Sequence, residues 1–140
     1  MKAPMFSLPY INNNGIYHLQ DDIGKVIVLT FWASWCPDCG HDLPKKEQLF
    51  QSMDTTKVRM ITINVTGRER DQSAGPAYTE KYLSQPTLAD RGTEIYENYQ
   101  CKGVPTTVII NQNGDIHDQF GDNAKFLEIV TSVGTLVGDS

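Results

Sequence analysis

Three cysteines carry the chain's reactive sulfur: Cys36, Cys39 and Cys101. Two of them stand two residues apart in Phe31-Trp32-Ala33-Ser34-Trp35-Cys36-Pro37-Asp38-Cys39. That spacing lets both sulfurs meet in a small ring at the start of a helix. A sulfur at a helix N-terminus faces unpaired N–H groups and the positive end of the helix dipole, so negative charge is favoured there. Cys36 is read as the nucleophile. Cys39, one turn further in and more buried, suits the resolving role. The chemistry implied is thiol–disulfide exchange. A zinc site needs four ligands as a rule, and there is no second C-x-x-C; His41 and Cys101 stand at no familiar ligand spacing. A c-type haem motif needs His directly after the second Cys, and that position is Gly40. The bland alternative is a structural disulfide or an idle pair of thiols. The strand-to-helix context described next favours redox chemistry over it.

The elements that must position this pair are legible on either side. Lys25 to Ala33 is a continuous apolar, β-branched run of the kind that forms a buried central strand. From Cys36 to about Ser52, Leu43, Leu49 and Phe50 alternate with Lys45, Lys46, Glu47 and Gln48, which reads as an amphipathic helix. Pro44 lies inside it and is expected to kink it. Val58 to Val65 reads as a second buried strand, and Thr66 to Gly75 as a polar loop. Pro76 opens a short helix to about Leu83. Arg91 to Tyr99 reads as another helix, Thr106 to Ile110 as a third strand, and Asn113-Gly114 as the turn into a fourth, Asp115 to Phe120. Asn123 to about Val137 reads as an amphipathic helix, with Phe126, Leu127, Val130, Val133 and Leu136 on one face. Upstream, Asn12-Asn13-Asn14-Gly15 turns a small hairpin within Met5 to Gln20 that covers one edge of the domain. The order is an α/β one: a mixed central sheet flanked by helices, with a right-handed crossover joining the first two strands.

A chain of 140 residues fits one domain, expected over residues 1–140, and is long enough to bury a core without disulfide staples. Hydrophobic residues are 39% and charged residues 21%, a globular balance. The net charge of −5, with scattered Lys and Arg, disfavours nucleic acid or an anionic membrane as a partner. The sequence holds no apolar stretch long enough to span a bilayer and no signal peptide after Met1-Lys2. The protein is therefore expected either in the cytosol or outside it, after loss of a targeting segment.

The stretch Trp32-Ala-Ser-Trp-Cys-Pro-Asp-Cys39 resembles the thioredoxin superfamily active site. Pro44 matches that family's kinking proline, and Tyr99-Gln-Cys-Lys-Gly-Val-Pro-Thr-Thr107 resembles the segment that carries its cis-proline. Ala3-Pro-Met-Phe-Ser-Leu, Gly24-Lys25-Val-Ile-Val-Leu and the stretch from Thr66 to Leu88 are similar to the TlpA/ResA-type extracytoplasmic branch, the last as its helical insertion. The resemblance covers nearly the whole chain, and its specific motifs are those around Cys36 and Pro105. It implies a thioredoxin fold and a protein disulfide reductase without metal or organic cofactor. It implies a disulfide-containing protein substrate, such as one of cytochrome c maturation or of spore or envelope assembly. A membrane thiol-relay protein of the CcdA type would be the electron donor. The natural protein would be a monomer, anchored outside the bacterial cytoplasm. Pro105 would be the cis-proline beside the active pair, with Val104 offering backbone hydrogen bonds to an extended peptide.

Two departures stand out. Thioredoxin proper has a buried Asp six residues before the first Cys, where this chain has Thr30. The TlpA/ResA branch commonly has Glu three residues after the second Cys, where this chain has Asp42. Asp42 shares a helix face with Cys39 and is either its proton acceptor or a solvated surface acid. Asp38, between the cysteines, either opposes negative charge on Cys36 and favours the disulfide or is screened by water. Trp35 and Pro37 flank the nucleophile and are placed in the substrate surface, with ordinary packing the alternative for Trp35. Cys101 reads as a small buried hydrophobe ahead of a second reactive thiol. His18, His41 and His117 read as surface residues. Two other functions remain open. One is a thiol peroxidase, although peroxiredoxins do not place their peroxidatic Cys in W-C-x-x-C. The other is a peptide-binding module without turnover.

Overall fold

The computed structural model describes residues 1–138. Strands β1 (Ser7–Pro9) and β2 (Ile16–His18) form the small hairpin, with Gly15 in the left-handed region at its turn. β3 (Val26–Trp32), α1 (Pro37–Ser52), β4 (Val58–Asn64), α2 (Ala74–Tyr82), β5 (Thr87–Ala89), α3 (Glu94–Asn98), β6 (Thr106–Ile110), β7 (Ile116–Phe120) and α4 (Phe126–Gly138) follow. The main sheet runs β5-β4-β3-β6-β7. β3 is parallel to β4 and β4 to β5, while β6 is antiparallel to both β3 and β7. This is the mixed α/β sheet flanked by helices that the sequence implies.

β3 is buried at all seven positions because both of its faces are covered. Ile27, Leu29 and Phe31 enter a large core with Phe6, Leu8, Tyr17 and Leu19 of the N-terminal segment and Ile95, Tyr96 and Tyr99 around α3. Val26 and Val28 enter a second core with Ile129 and Val133 of α4, against which Leu49 and Phe50 of α1 pack. The hairpin does lie at a sheet edge: Tyr10 bridges to Leu88, and the Ile11 amide donates to Thr87 O at 3.0 Å.

The structure corrects four readings. β5 is a strand where none was expected; three residues between Pro86 and Asp90 are too short to show alternation, and pairing with β4 creates it. Thr66–Arg68 is a 3-10 turn inside the expected polar loop, and α2 starts at Ala74, which places Pro76 in its first turn. α3 is shorter than expected, since Asp90 accepts from the Ile95 and Tyr96 amides at 3.0 and 3.1 Å and so starts the helix late. α1 continues through Pro44, but its polar stretch is not all outward: Lys46 and Glu47 are buried. Glu47 accepts from the Ser84 amide and hydroxyl, both at 2.6 Å, and from the Gln85 amide and side chain at 3.2 and 2.7 Å. It ties α1 to the segment leading into β5.

Candidate active site

β3 ends at Trp32, and a short turn delivers Cys36 to the N-cap of α1. Pro37 occupies the first helical turn, where its missing N–H is no loss, and it is exposed. The Cys36 sulfur takes the N-capping role: the Cys39 amide donates to it at 3.2 Å. Both thiols are free, and the Cys36 thiol donates to Val104 O at 3.5 Å. The Val104–Pro105 peptide is cis. The structure therefore brings Cys36, Cys39, Val104 and Pro105 together, and the Val104 carbonyl already serves Cys36 in this dithiol form.

Cys36 is 6% exposed and Cys39 only 1%. Burial pushes the Cys39 thiol well above its ordinary value. The adjoining Cys36 and the Asp42 carboxylate push the same way, against a backbone hydrogen bond at Ala33. Asp42 is not a freely solvated acid. Its side chain is 16% exposed, and Oδ2 lies 2.7 Å from Lys46 Nζ. Asp38 and His41 are exposed, and with Asp42, Lys45, Pro105 and Thr107 they border a cavity of about 130 Å³ beside the helix start.

Trp35 is held from one side by residues that composition alone did not single out. Its indole Nε1 donates to Arg68 O at 2.6 Å, and the Arg70 guanidinium lies 4.4 Å from its ring centre. One face of the Trp35 ring is thus capped by a cation. Glu69 accepts from the Ser34 amide at 2.7 Å, the Ser34 hydroxyl at 2.6 Å and Asn64 Nδ2 at 2.7 Å. One carboxylate thereby pins the turn two residues before Cys36. Gly75 permits this: a Cβ there would collide with the Asn64 side-chain amide. No sequence signal marks Glu69 beyond an acid in a polar stretch, because its partners are brought together only by the fold.

Cys101 packs partly buried against the large core, and burial pushes its thiol up to about 12. His18 and His117 are exposed, and His18 Nδ1 pairs with Ser7 Oγ at 2.6 Å. Among the described residues, no group of three or more His, Cys, Asp or Glu side chains is arranged to hold a metal ion. No helix among them is long and apolar enough to cross a membrane.

A paired thiol at a helix start, facing the carbonyl just before a cis-proline beside a mixed sheet, is the thioredoxin arrangement. Residues 1–119 match the AhpC/TSA family. The chain belongs to that family. Its relatives include a protein named a thiol-disulfide oxidoreductase. The chain is 34% identical to the thioredoxin-like protein YneN of Bacillus subtilis, over 84% of this chain and 68% of that one. It is 31% identical to the thiol-disulfide oxidoreductase ResA of Halalkalibacterium halodurans, over 70% of this chain and 54% of that one. The chain thus spans between about half and two-thirds of the length of these two relatives. The fold is also that of the thioredoxin-like superfamily protein SPOA0173, with a TM-score of 0.84 over 100% of this chain and 98% of that one, at 22% identity.

Proposed function

We propose that this chain is a protein disulfide reductase that works outside the bacterial cytoplasm. Cys36 attacks a substrate disulfide as its thiolate and forms a mixed disulfide. Asp42 accepts the proton of Cys39, and the Cys39 thiolate attacks Cys36. The reduced substrate leaves, and the protein holds a Cys36–Cys39 disulfide. The electrons are carried by the two sulfurs, so no organic cofactor or metal enters. An extended substrate segment lies along Val104 and Pro105, with Trp35 and Pro37 forming the rest of the contact. A membrane thiol-relay protein returns the pair to the dithiol, and the substrates belong to cytochrome c maturation or a related envelope assembly. Residues 1–140 form one domain that acts as a monomer and is carried on a membrane anchor.

The observation that supports this most is the placing of Cys36. Its sulfur caps α1, with the Cys39 amide at 3.2 Å and Val104 O at 3.5 Å. One sulfur thus touches both the backbone of Cys39 and the carbonyl that precedes Pro105. The test uses insulin as a disulfide-bearing protein. The dithiol form is expected to reduce it with dithiothreitol as the terminal donor, and Cys39→Ser is expected to accumulate a covalent adduct through Cys36. Absence of both reduction and adduct would overturn the proposal. Rapid peroxide consumption by Cys39→Ser would replace it with a peroxidase.

A further inference from the structure

Lys46 lies on α1 two turns beyond Cys39, and its side chain is fully buried. Lysine is almost never found there without a partner. Its Nζ is 2.7 Å from Asp42 Oδ2 and donates to Thr107 Oγ1 at 2.5 Å. Burial pulls its ammonium below the ordinary lysine range, while Asp42 and Cys39 hold it up. The redox centre thus has a cation beneath it as well as an acid beside it.

The floor of this site is a row of threonines. Thr107 of β6, Thr30 of β3, Thr62 of β4 and Thr87 of β5 stand directly opposite one another across the ladders, and all four are buried. Opposed residues share a sheet face. Thr62 and Thr87 bond each other at 2.7 Å, Trp32 Nε1 donates to Thr62 at 3.1 Å, and Thr107 accepts from Lys46. Thr30 Oγ1, in the position of thioredoxin's acid, is buried with no hydrogen-bond partner among the described residues. An unpartnered buried hydroxyl beside Thr107 leaves polar capacity where charge would have to move. The other titratable or charged groups facing the cluster are Tyr78 from α2, Cys36, Asp38, His41 and Lys45 from the start of α1, and Asp122 after β7.

We propose that Lys46 is a fixed counter-charge for the resolving step, partnered by the Asp42 carboxylate before Cys39 ionises and by the Cys39 thiolate afterwards. This rests on Asp42 as the proton acceptor. The Cys39 S–H proton passes to the Asp42 carboxylate, giving a thiolate and a carboxylic acid, and Lys46 stays protonated throughout. The group of three is neutral before and after the transfer. Without the ammonium, the same transfer would carry a lone negative charge deeper into an apolar interior, where isolated charge is costly. The Cys39 thiolate then attacks Cys36 Sγ. The bond from Cys36 to the substrate sulfur breaks, the Cys36–Cys39 bond forms, and the electron pair leaves on the substrate sulfur. The proton on Asp42 returns to that sulfur or to water by way of the 130 Å³ cavity that Asp42 borders.

The test mixes the reduced protein with 5,5′-dithiobis(2-nitrobenzoate) in a stopped-flow instrument across pH. The first nitrothiobenzoate release reports attack by Cys36, and the second reports resolution by Cys39. Lys46→Met is expected to slow the second release about tenfold at neutral pH and to move its pH midpoint up by about one unit. The first release is expected to change far less. A second release with the same midpoint and a rate within about twofold of wild type would overturn the counter-charge. An Asp42→Asn protein with an unaltered second release would overturn it too, by removing the acceptor it depends on. Loss of both releases in the wild type would instead refute the dithiol reading. Should Lys46→Met not fold, the wild-type protein still decides. The Lys46 Cε resonance is expected to titrate at a higher pH in the reduced than in the oxidised protein, and identical midpoints would overturn the proposal.

Discussion

Replacing Glu69 tests whether the turn before the nucleophile is held from outside the active-site helix. The Glu69 carboxylate accepts three hydrogen bonds, two from Ser34 and one from Asn64. Glu69→Ala leaves the Ser34 amide and Asn64 Nδ2 without that acceptor. Hydrogen bonds to a charged group contribute about 1.5–3 kcal/mol each, and a partly exposed shared acceptor belongs near the lower end and below simple addition. The expected loss is about 2–4 kcal/mol. For a domain of this size that lowers Tm by about 6–12 °C. Glu69→Gln keeps the shape but turns an N–H toward at least one donor, so it is expected to fall between wild type and Ala. The assay is chemical unfolding followed by Trp fluorescence, run beside the rate of nitrothiobenzoate release. The Ser34–Cys36 turn carries the nucleophile, and a misplacement of about 1 Å costs on the order of a hundredfold in rate. The first release is therefore expected to slow as well as the protein to weaken. A Glu69→Ala protein that loses less than about 0.5 kcal/mol and reacts at the wild-type rate would refute the reasoning.

Glu47→Ala leaves the Ser84 amide, the Gln85 amide and Gln85 Nε2 without their acceptor inside the fold, and is expected to cost about 3 kcal/mol in urea unfolding. The Cys101 thiol is raised from 9.0 to about 12 in the folded state, so the folded protein binds more protons than the unfolded one between those values. Stability is then present below pH 9 and is lost as pH rises toward 12. Cys101→Ala is expected to show a shallower alkaline fall in Tm than wild type, and parallel curves would contradict the assignment.

The Cys36–Cys39 pair and the elements around it were legible because that pattern is local. Two cysteines at fixed spacing, a buried run before them and a helix after them need no distant partner to be read, and β3 and α1 lie where that pattern puts them. Pro105 came from the resemblance of its surrounding segment, and its cis peptide is present. What escaped was non-local. Glu69 is an ordinary acid until β4 and the Ser34 turn converge on it. Lys46 looked like one polar residue among four, although its spacing of seven from Cys39 and three from Leu43 places all three on one helix face. Hydrophobic patterning reads a lysine as outward, and only the Asp42 and Thr107 partners let this one turn in. β5 likewise exists through its pairing with β4 and the bridge from Tyr10.

The most direct test of the central claim is the reduction potential of the Cys36–Cys39 pair, measured by equilibration with dithiothreitol and glutathione. A reversible two-electron couple near or below about −250 mV, in the range of thioredoxin, is the expected result for a reductase supplied by a thiol relay. A value near about −120 mV would reverse the direction of electron flow, and failure to form any reversible disulfide would contradict the redox function itself.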